Sequence, residues 1–189
     1  MQLDHDYADV PNTNTTTLSE YKQSVVTYIA GFVVRMVCRK IHCPECQLAL
    51  VGNDYNPLAG TIGCQFLGLK DRGGLVKPSP CVVNICQETE KCFSRMHAVL
   101  GGQLPLTRSI VSAITHTVLS TMGSKCFATL QEHMFDSTVD NYHVFNLIKC
   151  IAHCYSTIRM HHLAKQKTFV VNGANVRKQL SEQILFKHQ

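Results

Sequence analysis

The sequence predicts a mostly α-helical, irregular multi-helix fold, and three observations support that class. Apolar residues recur every three or four positions in several long stretches, which is the spacing of one helix face. Ser, Thr or Pro precede these stretches and Gly or basic residues follow them, as they do at helix ends. Alternating runs typical of strands are scarce. With 189 residues, 45% of them hydrophobic and 16% charged, the chain is long enough to bury a core.

The first predicted helix begins near Thr17 or Ser19, either of which can cap it, and has Glu20 in its first turn. Its apolar positions fall at helical spacing and are Val25, Ile29, Phe32, Val33, Met36 and Val37. Basic side chains close this helix at the end where its dipole favours positive charge: Arg39, Lys40 and His42. A tight turn at residues 43–46 and one further apolar turn at residues 47–51 are expected next.

A long loop is predicted for residues 52–80, which are rich in Gly, Pro and Asn. Ser79 and Pro80 then mark a helix start, with the capping residue followed by Pro at the first helical position. This second long helix is expected to run to about residue 100, where Gly101 and Gly102 end it. Its predicted buried residues are Val83, Cys86, Phe93, Met96 and Leu100.

Four more helices are predicted toward the C-terminus. The first starts after Thr107, ends at Gly123 and turns one apolar face inward: Ile110, Ile114, Val118 and Met122. A short helix over residues 125–135 and a long one over residues 138–165 follow. The long one has an apolar series whose next member is His162: Val144, Ile148, Ile151, Tyr155 and Ile158. A separate short helix is expected over residues 175–186.

Composition and charge narrow the class of protein. Residues 1–17 are polar and contain three aspartates and no Lys or Arg, so they are predicted to be a linker or edge rather than a signal peptide. This leaves residues 18–189 as the folded domain. The longest apolar stretch, residues 25–37, is too short to cross a bilayer and contains Arg35. An intracellular protein with no membrane partner is expected, in which the ten cysteines are reduced thiols or metal ligands. The formal net charge of +5 is compatible with a nucleic-acid partner.

Four sequence pieces occur in a specific order along the chain: YIAGFV at residues 28–33, CPEC at 43–46, LKDRGGL at 69–75 and IRMHHLAK at 158–165. Together with the closing residues 177–187, this order resembles the C-terminal region of P-element-like DNA transposases, the family that includes the THAP-domain transposases. The resemblance covers roughly residues 18–189. It implies a nuclear part of a DNA-transposition protein, with DNA, a transposase catalytic core or a second copy of the chain as partner.

Cys43 and Cys46 are the first half of a predicted structural Zn²⁺ site, since two thiolates three residues apart can hold one tetrahedral ion. The resemblance places a His pair beside such a C-x-x-C, so His161 and His162 are the expected remaining ligands. Adjacent helical side chains diverge by about 100°, so both can bind one ion only if the helix ends or distorts there. The alternatives are two packed or capping cysteines, or a redox pair, the latter disfavoured because no βαβ pattern surrounds them.

Basic residues form the candidate DNA-binding set. Five lie in the C-terminal segment and two in the Gly-rich loop: Arg159, Lys165, Lys167, Arg177, Lys178, Lys70 and Arg72. Such side chains can neutralise phosphates without reading sequence. A solvated basic face explains the C-terminal residues equally well. For the loop, a structural turn with positive φ at Gly73 or Gly74 is the favoured alternative.

Catalysis by this chain alone is not expected. Transposition requires clustered carboxylates that hold two divalent metals, and in this family an RNase H-like core, not recognisable in this sequence, supplies them. The acidic residues here are scattered, and none lies on a hydrophobic strand: Glu20, Asp71, Glu132, Asp136 and Asp140. We therefore predict an accessory region that positions DNA or assembles the complex. The alternative is a domesticated zinc-binding module that binds proteins through its apolar C-terminal helix.

Overall fold

The computed structural model describes residues 18–52, 76–102, 104–105, 107–123, 126–127 and 146–186, with side chains as far as residue 173 in the last range. Within these ranges the chain forms five helices and no strand: α1 (Glu20–Cys38), α2 (Pro44–Leu50), α3 (Pro80–Val99), α4 (Arg108–Met122) and α5 (Leu147–Phe186). The predicted mostly α-helical class is confirmed. The helix predicted over residues 125–135 lies outside the described residues except at Cys126 and Phe127, where it is wrong, since neither is helical and Phe127 has a φ of +55°. The start near residue 138 and most of the predicted loop also lie outside the described residues.

The chain divides into two units. The larger one is Thr15–Thr157 and contains α1 to α4 and the beginning of α5. The smaller one comprises Met1–Asn14 and Ile158–Gln189, and the remainder of α5 belongs to it.

Helix α1 begins as its sequence predicts, because the Ser19 hydroxyl accepts a hydrogen bond from the Lys22 amide at 3.4 Å. Its fully buried side chains, all 0% exposed, include Val26, Val33, Val34 and Val37. Phe32 and Met36, which share the helical spacing of the apolar positions, are 38% and 37% exposed. The buried face is centred on the valines, and Phe32 and Met36 lie at its edge. There the Phe32 ring meets Tyr28 edge to face, with ring centroids 5.1 Å apart.

The connection between α1 and α2 is fixed by one side chain. The Gln47 amide donates hydrogen bonds to the carbonyl oxygens of Cys38 at 3.0 Å and Ile41 at 2.6 Å. These carbonyls face the end of α1 and have no intrahelical donor available. Gln47 therefore holds the turn that carries Cys43 against the end of α1.

A short antiparallel bridge between Val51 and Pro78 joins the chain on either side of residues 53–75. The Gly52 amide donates to the Lys77 carbonyl at 3.0 Å, and the Ser79 amide donates to the Leu50 carbonyl at 2.9 Å. A Cβ at Gly52 would lie 3.0 Å from the Pro78 carbonyl oxygen, so this close backbone approach favours glycine.

Helix α3 starts and stops where the sequence predicts. Ser79 is its N-cap residue, Pro80 is its first residue, and Gly101 and Gly102 follow its end with φ values of +58° and +78°. Its buried residues are Val82, Ile85, Cys86, Thr89, Glu90 and Phe93.

Three of the five core residues predicted for α3 are wrong. Val83 and Met96 are only partly buried, and Leu100 is 42% exposed. The inward stripe begins at Val82, one position earlier than expected, and Leu100 lies beyond the last helical turn. Helix α3 packs against both α1 and α4.

Helix α4 has the predicted core residues Ile114, Val118 and Met122, with Val111 in place of the partly exposed Ile110. Helix α5 differs from its prediction, because it continues through residues 166–174 where a break was expected. That stretch contains no Pro and a single glycine, Gly173, and one glycine destabilises a helix by only about 1 kcal/mol relative to Ala. In the part of the chain that is described, no helix is long and apolar enough to span a membrane.

Candidate functional site

The Cys43 and Cys46 thiols lie together at the start of α2. Cys43 is the N-cap residue, Pro44 fixes the first turn, and Cys46 follows one turn later. Both side chains are buried, at 7% and 2% exposure. Burial, with the hydrogen bond and negative charge of the neighbouring Cys43, raises the pKa of Cys46 to about 12. Cys46 is therefore a neutral thiol near pH 7 unless a metal displaces its proton.

These two thiols fit half of a tetrahedral zinc site. The two thiols are near enough for Cys43 to raise the pKa of Cys46, and thiolates are preferred zinc ligands. Among the described residues, no group of three or more His, Cys, Asp or Glu side chains is arranged to hold a metal ion. His42 is adjacent in sequence but exposed. The third and fourth ligands remain predictions.

His161 and His162 both lie on α5, in the smaller unit, whereas Cys43 and Cys46 belong to the larger one. His161 is exposed and His162 is partly buried. Helix α5 neither ends nor is interrupted at this pair. Adjacent side chains on a continuous helix diverge by about 100°, so this geometry favours one histidine, rather than both, for any single ion.

The candidate DNA-binding residues are only partly placed. Lys165 and Lys167 are exposed on α5, and Arg159 is partly exposed. Residues two apart on a helix point in nearly opposite directions, so the two lysines extend the positive charge to both sides of α5 rather than concentrating it on one face. Lys70 and Arg72 lie outside the described residues, and so do the side chains of Arg177 and Lys178.

A buried carboxylate that the sequence analysis did not identify links α3 to α5. Glu90 is 2% exposed, and the Tyr155 hydroxyl donates a hydrogen bond to its Oε2 at 2.9 Å. The Ser94 hydroxyl donates to its Oε1 at 3.1 Å. These bonds compensate part of the cost of removing a carboxylate from water. The available signal was the position of Glu90, four residues after Cys86 on the apolar stripe of α3.

A second group of thiols surrounds Cys154 near the start of α5. The Lys40 ammonium group lies 4.0 Å from the Cys154 sulfur. Burial raises the pKa of Cys154, which Lys40 partly offsets, and burial together with Cys154 raises the pKa values of Cys86 and Cys150. Thiols held neutral by burial are poor nucleophiles, so we assign this group to packing.

A family model described as the C-terminal domain of the DNA transposase THAP9 matches residues 17–165. The chain belongs to this family. The match spans α1 to α4 and the first part of α5, and it includes Cys43, Cys46, His161 and His162. It ends at Lys165, so the rest of α5 lies beyond the matched region. Neither the curated proteins nor the solved structures contain a match to this chain.

The transposase resemblance seen in the sequence is thus confirmed at the level of the THAP9 family. Because the family is described as a domain of a DNA transposase, it suggests DNA or other transposase segments as partners.

Proposed function

We propose that the chain is an accessory region of a DNA transposase that positions DNA or assembles the complex, in the nucleus, without an RNase H-like catalytic core of its own. Membership in a family described as a C-terminal domain carries this proposal, since the matched domain is one part of a transposase. The other parts would then supply the metal-dependent strand chemistry.

Three of the described glutamates support an accessory role. Glu20 lies in the first turn of α1, where its charge complements the helix dipole. Glu88 pairs with Lys91 on the same helix at 2.6 Å. Glu90 is hydrogen-bonded in the core. Each therefore has a local structural role. The proposal that this chain is not catalytic would be overturned by Mg²⁺- or Mn²⁺-dependent DNA cleavage that disappears when a carboxylate is changed to its amide.

DNA contact is proposed for the exposed lysines of α5. Lys165 and Lys167 are exposed, and the sequence adds Arg177 and Lys178 along the same helix. Such cations neutralise phosphates and release counterions without selecting bases. Lys70, Arg72 and Arg159 complete the proposed set.

The test is the salt dependence of duplex binding, measured by fluorescence anisotropy of a labelled DNA. Changing Lys165 and Lys167 to Gln should reduce the slope of log K against log salt by about two, since each phosphate contact contributes about 0.9. The matched control changes Arg108 and Lys149, two exposed cations of the larger unit, to Gln. Equal slopes for the two double variants would refute a specific role for the α5 lysines.

A structural Zn²⁺ ion held by Cys43 and Cys46 is the second part of the proposal. Elemental mass spectrometry should find about one zinc per chain, lost in Cys43→Ser and retained in Cys92→Ser, the control at a partly buried thiol outside the pair. Single His161→Ala and His162→Ala variants then decide whether one, both or neither completes the site. Purified protein without metal, even after refolding with zinc, would reduce the pair to a packed turn.

A protein-interaction module is the second candidate, and one observation favours it. Phe169, Val170 and Val171 on α5 are 80%, 69% and 58% exposed. An apolar surface of this kind is typical of a binding site. Duplex binding that is absent at low salt, together with retained association with another transposase segment, would favour this module over the DNA-positioning role.

A further inference from the structure

The exposed part of α5 carries large apolar side chains where a solvent-exposed helix usually carries polar ones. Phe169, Val170 and Val171 are consecutive, so their side chains cover about 200° of the helix circumference. Isolated helices are marginal in water, and β-branched residues with Gly173 weaken this one further. A segment that covers these side chains would therefore stabilise the helix.

Positive charge lies one helical turn before these apolar residues. Lys165 precedes Phe169 by four residues and Lys167 precedes Val171 by four, and both lysines are exposed. Residues four apart share a helix face, so each lysine is adjacent to an apolar side chain. We name residues 165–171 the basic-apolar stretch. Its partner should combine carboxylates with apolar side chains at a matching spacing.

A second copy of α5 does not meet this requirement. A parallel pairing would place each lysine opposite the same lysine of the partner helix. An antiparallel pairing centred on Val171 would place Lys165 opposite Arg177 of the partner helix and next to its Lys178. Like charges meet in both orientations, which opposes the association.

The N-terminal sequence of the chain has the complementary pattern. Residues 1–17 contain Asp4, Asp6 and Asp9 and no Lys or Arg. Leu3, Tyr7 and Val10 recur at steps of four and three, which is the spacing of one helical face. Asp6 precedes Val10 by four residues, as Lys167 precedes Val171. The spacing between a charged and an apolar residue is therefore the same in the two segments, with opposite charge.

We propose that residues 3–10 of this chain dock across the basic-apolar stretch of α5, with aspartates against Lys165 on one side of the helix and Lys167 on the other, and with the apolar side chains against Phe169–Val171. The contact is intramolecular and depends on charge. Docking in this way covers the same lysines that DNA would reach, but the contact itself does not depend on DNA binding.

A tryptophan reporter tests the proposal, because the chain has no Trp. Phe169→Trp in the full chain should fluoresce at shorter wavelength than Val99→Trp, a control reporter at a 79% exposed position on α3. Changing Asp4, Asp6 and Asp9 to Asn in the Phe169→Trp protein should shift its emission to the red. About 1 M salt, where the Debye length is about 3 Å, should shift it in the same direction.

The matched control changes Asn12→Gln, Thr13→Ser and Asn14→Gln, which preserves charge in the adjoining residues and should leave the emission unchanged. A second readout needs no substitution: carbodiimide cross-linking should join an aspartate of residues 4–9 to Lys165 or Lys167 within one chain. Emission equal to that of Val99→Trp, or unaffected by the Asp changes, would overturn the proposal. Emission that moves to the blue with rising protein concentration would assign the stretch to a second copy instead.

Discussion

Helix α5 begins in a packed environment and continues into an exposed one, and the contrast between its two parts is informative. Tyr155 and Ile151 are 0% exposed and Tyr155 is hydrogen-bonded to Glu90 of α3, whereas Phe169 is 80% exposed. The first part is stabilised by tertiary packing, which supplies most helical stability in proteins. The second has apolar side chains of equal size without such burial. The same helix is therefore buried in its first part and presents exposed apolar side chains in its second.

The largest expected effect compares the same substitution in the two environments. Phe93, 2% exposed on α3, should destabilise the protein by about 3–5 kcal/mol when changed to Ala, because a cavity remains in the core. Phe169→Ala, which can lose only a surface contact and leaves no core cavity, should cost no more than about 1 kcal/mol. Urea denaturation followed by circular dichroism measures both. Similar losses for the two variants would show that Phe169 is as tightly packed as a core side chain.

Removing the Tyr155 hydroxyl should have the next largest effect. Tyr155→Phe deprives the buried Glu90 carboxylate of a donor 2.9 Å away, with an expected cost of about 1–3 kcal/mol. Ser120→Ala removes an exposed hydroxyl that donates to the His116 carbonyl of its own helix, and this control should be nearly neutral because water can replace that bond. A neutral Tyr155→Phe would indicate that water or another group replaces the lost hydrogen bond.

Two Gly→Ala substitutions should act in opposite directions. Gly52→Ala places a Cβ 3.0 Å from the Pro78 carbonyl oxygen and should destabilise by about 1–3 kcal/mol through overpacking. Gly173→Ala has no heavy atom within 4 Å of the new Cβ and should raise helicity, with a gain of about 0.5–1 kcal/mol in helix stability. Thermal melts of both variants, compared with the parent, provide the measurement. A stabilising Gly52→Ala would contradict the close approach at the bridge.

Alkaline pH should produce the smallest effect. The folded pKa of Cys46, about 12, lies above that of an unfolded thiol, about 8.5, so the folded state holds the proton more tightly. Its contribution to metal-free stability is complete below about pH 8.5 and is lost as pH rises toward the folded pKa. Denaturation midpoints between about pH 8 and 9.5 should fall, and Cys46→Ala should reduce that fall. An unchanged slope in the variant would assign it to other groups.

The parts of the fold that depend on local chemistry could be predicted from the sequence. Ser19, the Ser79-Pro80 pair and the Gly101-Gly102 pair end or begin helices through capping, fixed φ or positive φ, all of which act within a few residues. The rotation of α3 could not be predicted in this way, because it is decided by contacts with α1 and α4. Apolar residues on several faces allowed more than one inward stripe.

In the candidate site, too, features set by neighbouring residues could be predicted and features set by distant contacts could not. The proximity of Cys43 and Cys46 is encoded by their spacing and by Pro44, so sequence alone identifies the pair. Glu90 and Tyr155 are 65 residues apart, and no local pattern relates them. The continuity of α5 also escaped prediction, since Asn175 and Gly173 resemble helix-end signals that surrounding helix formers outweigh.

The bridge between Val51 and Pro78 bears on how the polypeptide between them can vary in length. It holds residues 52 and 77 side by side through backbone hydrogen bonds between the end of α2 and the start of α3. Because loop-closure entropy grows slowly with chain length, a longer connection between these two residues would still allow the bridge to form.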